Sequence, residues 1–318
     1  MKFLIIGAGG IGAYYGARLI EAGHQVVLVA RGEHLRAMQQ RGLKVRHESL
    51  NFNQAVTAFD AGTLMRHYGP DDFDVALLAL KSTATAPVLE ELSGWLKPGR
   101  LPVLSLQNGV DNEPLLAEAL GNERVIGGLA VRIGGHILEP GVVEAEGPAQ
   151  VVMGAWPMEP ETPDTRADLL QRLETCFNGA GIPARTSPDI RTELWRKLVI
   201  NNGVNPLSAL TLLDTRSLTH HAEFGPIVYG LMQETAEAAR ADGVELSQAD
   251  IDEMHELIRS FNAIKTSMLV DREKGRPLEL DSIAGAVLDR CRHQDVAAPY
   301  TELVMALLRH VGAAPRSE

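Results

Sequence analysis

Cysteine is scarce in this chain of 318 residues. Only Cys176 and Cys291 occur, far apart and outside any paired ligand motif, which excludes a disulfide framework and a zinc site and favours thiols in a reducing compartment. Long apolar runs are also missing. No uninterrupted stretch of about 18 apolar residues occurs, so no transmembrane helix is expected. The apolar N-terminus is broken by four glycines within six residues, which argues against a signal peptide. We therefore expect a cytoplasmic protein.

Basic residues are outnumbered by acidic ones, with 30 Lys and Arg against 41 Asp and Glu and a formal net charge of −11. This balance disfavours a broad surface for nucleic acid or for an anionic membrane, although it is compatible with a small basic pocket for a phosphorylated cofactor. The length and the hydrophobic share of 45% suit a globular protein of two domains.

What the chain does have is a glycine-rich turn at its beginning. An apolar run over residues 1–6 leads into a G-x-G-x-x-G pattern, and an amphipathic segment follows over residues 13–21. In such a turn the first glycine permits the bend, the second lets backbone approach a pyrophosphate, and the third lets the helix pack on the strand. The pattern predicts a dinucleotide site, with a ligand-free turn as the alternative. The predicted cofactor-binding residues here are Gly7, Ala8, Gly9, Gly10, Ile11 and Gly12.

The type of dinucleotide is indicated at the end of the second predicted strand, over residues 25–30. An NAD site usually has an acid there, whereas this strand ends in Arg31-Gly32. A guanidinium can form a bidentate contact with a 2′-phosphate, so Arg31 favours NADP. Two alternatives stay open, because Arg31 could be solvated and Glu33 could face the ribose.

Strand and helix signals alternate through the first half of the chain. Residues 33–40 and 88–96 are predicted as helices, and residues 73–80 and 102–106 as buried strands, which implies a parallel sheet with helices on both faces. Short runs separated by Gly and Pro follow over residues 124–154 and predict antiparallel strands appended to that sheet. The expected fold is α/β, with a doubly wound Rossmann-type sheet in an N-terminal domain over residues 1–187.

The second half is predicted to be helical. A helix over residues 164–178 still belongs to the first domain, and after Ser187-Pro188 nearly every pattern is helical. The predicted all-α domain therefore covers residues 188–318. Ser247 with Asp250 predicts a capping box at the start of one helix. The predicted helices of this domain cover residues 190–202, 224–241, 248–260, 283–291 and 301–310.

Polar residues directly follow two of the predicted buried strands. Ligands of open α/β sheets bind outside the carboxyl ends of the strands, so Lys81 and Asn108 are candidate site residues. Lys81 could reach phosphate or ribose oxygens, or it could be a solvated strand-end cation. Asn108 could bond the nicotinamide ribose or the substrate, or it could form an ordinary turn with Gly109.

A second polar cluster lies in the predicted helix after residue 190. Lys197, Asn201 and Asn205 are spaced by four and share one stripe of a helix. Asparagine is a poor interior helix residue, yet Asn202 adds a third within five positions. A functional site or a buried hydrogen-bond network between helices would explain the cluster. The lysine at one end favours a site.

Six segments occur in a distinctive order along the chain. They are Gly7 to Gly12, Leu80-Lys81, Gln107-Asn108-Gly109, Glu193-Leu194-Trp195-Arg196-Lys197 through Asn205-Pro206, Thr266-Ser267-Met268-Leu269-x-Asp271, and Glu279-Leu280-Asp281. Together they resemble the ketopantoate reductase family, over essentially the whole chain. The resemblance implies NADPH-dependent reduction of 2-dehydropantoate (ketopantoate) to (R)-pantoate in pantothenate biosynthesis.

The resemblance also implies roles for individual residues. Lys197 is expected to be the general acid and Glu279 to lie beside substrate and cofactor, so both are candidate catalytic residues. Asn201 and Asn205 are expected to hold the substrate, and Ser267 its carboxylate. The resemblance further implies that Lys81, Asn108 and Glu279 contact the cofactor, with Asn108 also at the substrate. The site is expected between the two domains.

Several positions depart from the family pattern, among them Asp111, Glu144, Asn202 and Gly203. They leave another 2-oxo acid as an alternative substrate, and a non-catalytic NADPH-binding regulator is a third alternative. No metal is expected, since His220-His221 is an isolated pair more typical of a solvated turn. The expected partner is a small 2-oxo acid rather than nucleic acid or membrane, and a homodimer is a candidate assembly.

Overall fold

Short apolar runs form the strands of this protein, a computed structural model of which describes residues 1–157 and 165–313. The strands within that part of the chain are β1 (Lys2–Ile6), β2 (Gln25–Val29), β3 (Leu43–His47), β4 (Leu50–Gln54), β5 (Thr57–Phe59), β6 (Val75–Leu78), β7 (Val103–Ser105), β8 (Val125–Val131), β9 (Gly134–Glu139), β10 (Val142–Glu146), β11 (Gln150–Ala155) and β12 (Ala184–Thr186).

The larger sheet has eight strands in the order β12-β11-β8-β7-β6-β1-β2-β5. The six neighbouring strands β8, β7, β6, β1, β2 and β5 run parallel to one another. Strand β11 pairs with β8 in the antiparallel direction. The strand order reverses at β1, which pairs with β2 on one side and β6 on the other. Both faces of β1 are buried, with Phe3 and Ile5 in one apolar cluster and Leu4 and Ile6 in another. The predicted doubly wound parallel sheet is confirmed.

A second, four-stranded sheet has the order β4-β3-β10-β9. The prediction that residues 124–154 all extend the main sheet is therefore only half right: β8 and β11 do so, whereas β9 and β10 join the second sheet. Strand β3, the partner of β10 in that sheet, was missed, although Leu43 and Val45 alternate with more exposed residues as in a half-buried strand. The β10–β3 pairing is parallel and joins Val143 to Val45, a separation that no local pattern reveals.

Thirteen α-helices lie within the described residues. They are α1 (Gly10–Glu21), α2 (Gly32–Arg41), α3 (Ala61–His67), α4 (Thr85–Leu96), α5 (Asn112–Leu120), α6 (Ala167–Gly179), α7 (Ile190–Thr211), α8 (Thr215–Thr219), α9 (Phe224–Ala239), α10 (Gln248–Ser260), α11 (Ser267–Glu273), α12 (Ala286–His293) and α13 (Pro299–Ala313). A π-helical turn, Asp281–Gly285, leads into α12. None of the described helices is long and apolar enough to span a membrane.

Helix α10 has the predicted bounds and the predicted capping box. The Asp250 N–H donates to the Ser247 hydroxyl at 3.2 Å, and the Ser247 N–H donates to the Asp250 carboxylate at 2.9 Å. These two bonds satisfy donors that a helix N-terminus leaves without partners. The predicted start of the helix at residue 164 lies outside the described residues.

Helix α7 is longer than predicted. Gly203 and Pro206 indicate a helix end near Asn202, but the helix continues to Thr211. A proline inside a helix costs about 3 kcal/mol. Residues 202–209 are all buried, so packing offsets that cost. Gly203 also has a packing reason, since a Cβ there would lie 2.7 Å from Met232 of α9.

By its internal contacts the chain divides into two compact units. The first contains Met1–Gln107 and Asn112–Ile190, and the second contains Asn108–Asp111 together with the described residues from Arg191 onward. The sequence placed a domain boundary after residue 187 and did not indicate that a short segment following β7 would group with the helices.

Candidate active site

The glycine-rich turn lies at the carboxyl end of β1. Gly7 has a φ of 103°, which favours glycine, and a Cβ there would lie 2.6 Å from the Leu80 side chain. The N–H groups of Gly7 and Ala8 both donate to the Val29 carbonyl, at 3.1 and 2.9 Å. These bonds hold the turn against the end of β2.

The remaining glycines of the turn differ in what surrounds them. A Cβ on Gly12 would overlap the Gly7 carbonyl oxygen, so this glycine lets α1 pack on the turn. A Cβ on Gly10 would overlap the carbonyl of Gly135 in β9. Gly9 caps α1 and has open space in front of it, since a Cβ there meets no atom within 4 Å. The turn thus fits the pyrophosphate of a dinucleotide, which needs close approach to backbone at a helix N-terminus.

Arg31 lies at the N-terminal end of α2, directly beyond β2. Its guanidinium forms an ion pair with Glu91 of α4 at 2.7 Å, and the two side chains are 68% and 43% exposed. An exposed pair of this kind contributes at most about 1 kcal/mol, so a phosphate can replace the carboxylate. Glu33, the alternative ribose partner, forms an ion pair with Arg36 at 2.9 Å.

His34 also contacts the turn, although no local pattern in the sequence singles it out. The Gly141 N–H donates to His34 Nδ1 at 3.0 Å, and His34 Nε2 lies 2.9 Å from the Ala8 carbonyl oxygen. Because Nδ1 accepts, the proton resides on Nε2, which donates to Ala8. Burial lowers the pKa of His34, which favours this neutral ring. Gly141 is 107 positions away in sequence, so no local signal could have indicated the contact.

The ends of β6 and β7 carry the candidate Lys81 and the neighbouring polar residue Gln107, both in the first unit. Lys81 is half-buried and caps a short 3-10 turn after β6. Gln107 follows β7 and is buried; its amide donates to Thr85 at 2.9 Å, and the Thr85 hydroxyl donates to Asn112 at 2.8 Å. This chain of side chains connects the end of β7 to α4 and α5.

In the second unit, the structure brings Asn108 and Glu279 together. The Asn108 amide donates to a Glu279 carboxylate oxygen at 3.4 Å, and Glu279 is buried. Gly109 follows with a φ of 93°, and a Cβ there would lie 2.8 Å from the Ser282 carbonyl oxygen. The glycine therefore lets this segment approach the π-helical turn closely.

The same segment ends in an ion pair. The Asp111 carboxylate accepts from Arg290 of α12 at 2.7 Å, and the guanidinium also contacts Asp242 at 3.0 Å. The guanidinium carbon lies 5.5 Å from the centre of the Trp195 ring in α7. Arg290 is only 15% exposed, and its ion pair with Asp111 holds the segment that carries Asn108 against α12.

The three asparagines of α7 differ in their hydrogen bonding. Asn202 is fully buried and donates to Thr235 at 2.9 Å and to Thr301 at 3.2 Å, which is the interhelical network considered as an alternative. Asn201 and Asn205 lie on the stripe with Lys197, and their side-chain amides form no hydrogen bond to any residue in the described ranges. Their polar groups are therefore available to a ligand.

Ser267 is the first residue of α11 and is exposed. Thr266 before it caps the helix, accepting from the Leu269 N–H at 3.2 Å. Arg272 on the same helix donates to the carbonyls of Ala209 and Leu210, so α11 is tied to the end of α7. Among residues 1–157 and 165–313 no group of three or more His, Cys, Asp or Glu is arranged to hold a metal ion.

Models of one known protein family match both halves of the chain. A family model described as ketopantoate reductase PanE/ApbA matches residues 3–158, and the C-terminal model of the same family matches residues 189–312. The chain belongs to the ketopantoate reductase family. The predicted resemblance is confirmed, and the protein is an oxidoreductase of this family.

Relatives of known name span the whole chain. A 2-dehydropantoate 2-reductase of Mesorhizobium japonicum is 31% identical, covering 98% of each chain. The crystal structure of 2-dehydropantoate 2-reductase from Geobacter metallireducens has a TM-score of 0.84 at 30% identity, covering 98% of this chain and 100% of its own. A D-mandelate dehydrogenase bound to NADH and anilino(oxo)acetate has a TM-score of 0.86 at 22% identity, covering 98% and 97%, and shares the fold of the ketopantoate reductases.

Proposed function

We propose that this protein is an NADPH-dependent 2-dehydropantoate 2-reductase, which reduces ketopantoate to (R)-pantoate in pantothenate biosynthesis. The observation that carries this proposal is the stripe of Lys197, Asn201 and Asn205, in which the two asparagine amides bond no other side chain or backbone group among the described residues, whereas the amide nitrogen of the neighbouring Asn202 bonds two threonines. Asn201 is half-buried and Asn205 is buried, and amides of this stripe that are not used between helices can bond the polar groups of a small substrate.

The residues of the first unit fit the cofactor. Backbone N–H groups at the start of α1 would hold the pyrophosphate in front of Gly9, and Arg31 would hold the 2′-phosphate in place of Glu91. Lys81 of the first unit and Asn108 of the second would contact the remainder of the dinucleotide. When bound, the reduced nicotinamide supplies a hydride for the carbonyl carbon of a 2-oxo acid.

The residues of the second unit fit the substrate. In the proposed reaction the Lys197 ammonium donates a proton to the carbonyl oxygen as it gains negative charge, and its positive charge stabilises that oxygen. Asn201 and Asn205 hold the substrate, Ser267 binds its carboxylate, and Asn108 orients it. Glu279, held by Asn108, orients the ammonium or a substrate hydroxyl.

The experiment that tests this function follows NADPH oxidation with a panel of 2-oxo acids. We expect the highest kcat/KM with ketopantoate. A higher kcat/KM with another member of the panel, such as phenylglyoxylate or a branched 2-oxo acid, would assign a related reductase, for which the mandelate dehydrogenase fold is a precedent. Binding of NADPH without oxidation by any member of the panel would indicate the regulator.

The cofactor preference is tested separately, through Arg31. Arg31→Ala should raise the KM for NADPH by about one to two powers of ten and leave that for NADH nearly unchanged, because a charge-assisted hydrogen bond contributes roughly 1.5–3 kcal/mol. Arg36→Ala, which removes another exposed arginine of α2, is the matched control. Equal losses for the two cofactors in Arg31→Ala would contradict the assignment.

A further inference from the structure

His34 connects three elements of the first unit. It lies on α2, its Nε2–H donates to the Ala8 carbonyl of the glycine-rich turn, and its Nδ1 accepts from Gly141 in the turn between β9 and β10. The ring is half-buried. A side chain with both ring nitrogens engaged by backbone groups has a single orientation and a single tautomer.

The β9–β10 hairpin is itself held firmly at both ends. At its turn, Arg41 donates to the Pro140 carbonyl at 3.1 Å and the Lys44 N–H donates to the Gly141 carbonyl at 2.9 Å. At its start, Gly135 packs so closely on the beginning of α1 that a Cβ there would lie 2.7 Å from the Gly10 carbonyl carbon. The hairpin is therefore a rigid support to which His34 can attach the turn.

The Ala8 carbonyl is the relevant atom of the turn. In a trans peptide the carbonyl of one residue and the N–H of the next point in opposite directions, and the chain has no cis peptide among its described residues. Fixing the Ala8 carbonyl toward His34 therefore fixes the direction of the Gly9 N–H. Gly9 is the residue of the turn with open space in front of it.

We propose that His34 is a positioning residue for the dinucleotide, which aligns the Ala8–Gly9 peptide for the pyrophosphate through its hydrogen bond to the Ala8 carbonyl. The proposal rests on the proposed binding of a nicotinamide dinucleotide. His34 acts on the part that NADPH and NADH share, so it changes the affinity for both equally. Arg31, in contrast, distinguishes the two cofactors. No effect on the chemical step is expected, because His34 acts only on the turn.

Three substitutions separate the two hydrogen bonds of His34. In His34→Gln the amide nitrogen can replace Nε2 as donor to Ala8, whereas in His34→Asn the amide oxygen can replace Nδ1 as acceptor from Gly141. His34→Ala removes both. His47→Ala is the matched control, since His47 Nε2 also contacts a turn carbonyl, that of Gly147, at 2.7 Å but does not contact the glycine-rich turn.

The experiment measures the Kd for NADPH and for NADH by calorimetry, kcat at saturating NADPH, and Tm. His34→Asn and His34→Ala should raise both Kd values roughly three- to tenfold, the range for loss of one neutral hydrogen bond, with kcat unchanged. His34→Gln should bind both cofactors like the wild type, and so should His47→Ala.

Three results would overturn the proposal: unchanged Kd values in His34→Asn and His34→Ala, an equal loss in His34→Gln and His34→Ala, or a loss for NADPH alone. A lower Tm with unchanged Kd values in the folded variants would show a merely structural role and also overturn it. A wild-type chain that binds neither dinucleotide would contradict the proposed function itself, which the His34 variants alone cannot do.

Discussion

The glycines of the N-terminal turn have different surroundings although they are adjacent in sequence. Gly12 is packed against the Gly7 carbonyl, while Gly9 faces open space. Both belong to the same sequence pattern, and the pattern alone assigns them the roles of packing and phosphate approach. The structure shows how each role could be measured separately, because one substitution meets protein atoms and the other does not.

Gly9→Ala should therefore change the affinity for the cofactor, whereas Gly12→Ala should change the stability of the fold. Gly9→Ala should leave Tm nearly unchanged and raise the Kd for NADPH by roughly tenfold or more, since the added methyl occupies the space for the pyrophosphate. Gly12→Ala should lower the free energy of unfolding by about 1–3 kcal/mol, because overpacking against backbone outweighs a helix-propensity gain of at most about 1 kcal/mol. Thermal unfolding and calorimetry on both variants check this. Normal NADPH binding by Gly9→Ala would contradict the assignment of the open space.

Lys197→Ala tests the proposed general acid. The variant should bind NADPH with nearly unchanged Kd, because the residues assigned to the pyrophosphate and 2′-phosphate lie in the other unit. Its kcat with ketopantoate should fall by roughly 10²–10⁴-fold, the range for loss of a positioned acid. The control is Lys274→Ala, which removes an exposed lysine of the same unit. If kcat fell only in proportion to the folded fraction, Lys197 would have a structural role.

The positions of residues that directly follow a strand were predictable from local sequence, and contacts with distant backbone were not. Arg31 and Lys81 follow predicted strands directly, so their positions were inferred from the strand pattern. His34 contacts Ala8 and Gly141, and the second of these is brought near only by the β9–β10 hairpin. Likewise, a pattern of asparagines could not show that Asn202 bonds Thr235 and Thr301, whereas Asn201 and Asn205 do not.

At the scale of elements, local periodicity succeeded for the main sheet and failed for the small one. Buried parallel strands read as continuous apolar runs, which is why β1, β2, β6 and β7 were recognised. Strand β10 has the same turn signals at its ends as an ordinary hairpin, but its second neighbour is β3. In helix α7 the local pattern predicted an end that does not occur. Pro206 usually terminates a helix, but burial of this segment against the surrounding helices outweighs that preference.

The contact between the β9–β10 hairpin and α1 leads to a prediction on two adjacent glycines. Gly135→Ala should weaken binding of both NADPH and NADH, because its Cβ would lie 2.7 Å from the Gly10 carbonyl carbon and displace the beginning of α1. Gly134→Ala is the matched control: a Cβ there meets nothing within 4 Å and its φ is not positive. Calorimetric Kd values for the two variants test this. Equal Kd values for Gly134→Ala and Gly135→Ala would show that the hairpin does not act on the turn.

At the scale of the whole molecule, the division into units was predictable only in outline. The change from alternating strands and helices to helices alone indicates two domains. The assignment of Asn108–Asp111 to the helical unit is a tertiary fact, because it depends on the contacts of Asn108 with Glu279 and of Asp111 with Arg290. The chain thus leaves the first unit after Gln107 and returns to it at Asn112.

Because Asn108 and Asp111 belong to the same short segment of the helical unit, we expect Asp111 to affect turnover by holding Asn108 in position. Asp111→Asn breaks one of the two ion pairs of Arg290, but Asp242 still pairs with the guanidinium and the Asp111 side chain is 44% exposed, so Tm should fall only slightly. The kcat/KM for ketopantoate should nevertheless fall roughly tenfold, because a displaced Asn108 no longer orients Glu279 and the substrate. Asp289→Asn, which breaks an exposed ion pair on α12 itself, is the control and should have no effect on kcat/KM.

A double-mutant cycle separates this positioning role from a direct one. If Asp111 acts only by holding Asn108, then adding Asp111→Asn to the Asn108→Ala variant should not lower kcat/KM any further, because the side chain that Asp111 positions is already absent. If the double variant instead loses kcat/KM by the product of the two single-variant factors, Asp111 contributes to turnover independently of Asn108. The ion pair between Asp111 and Arg290 would then not act on the site by positioning Asn108.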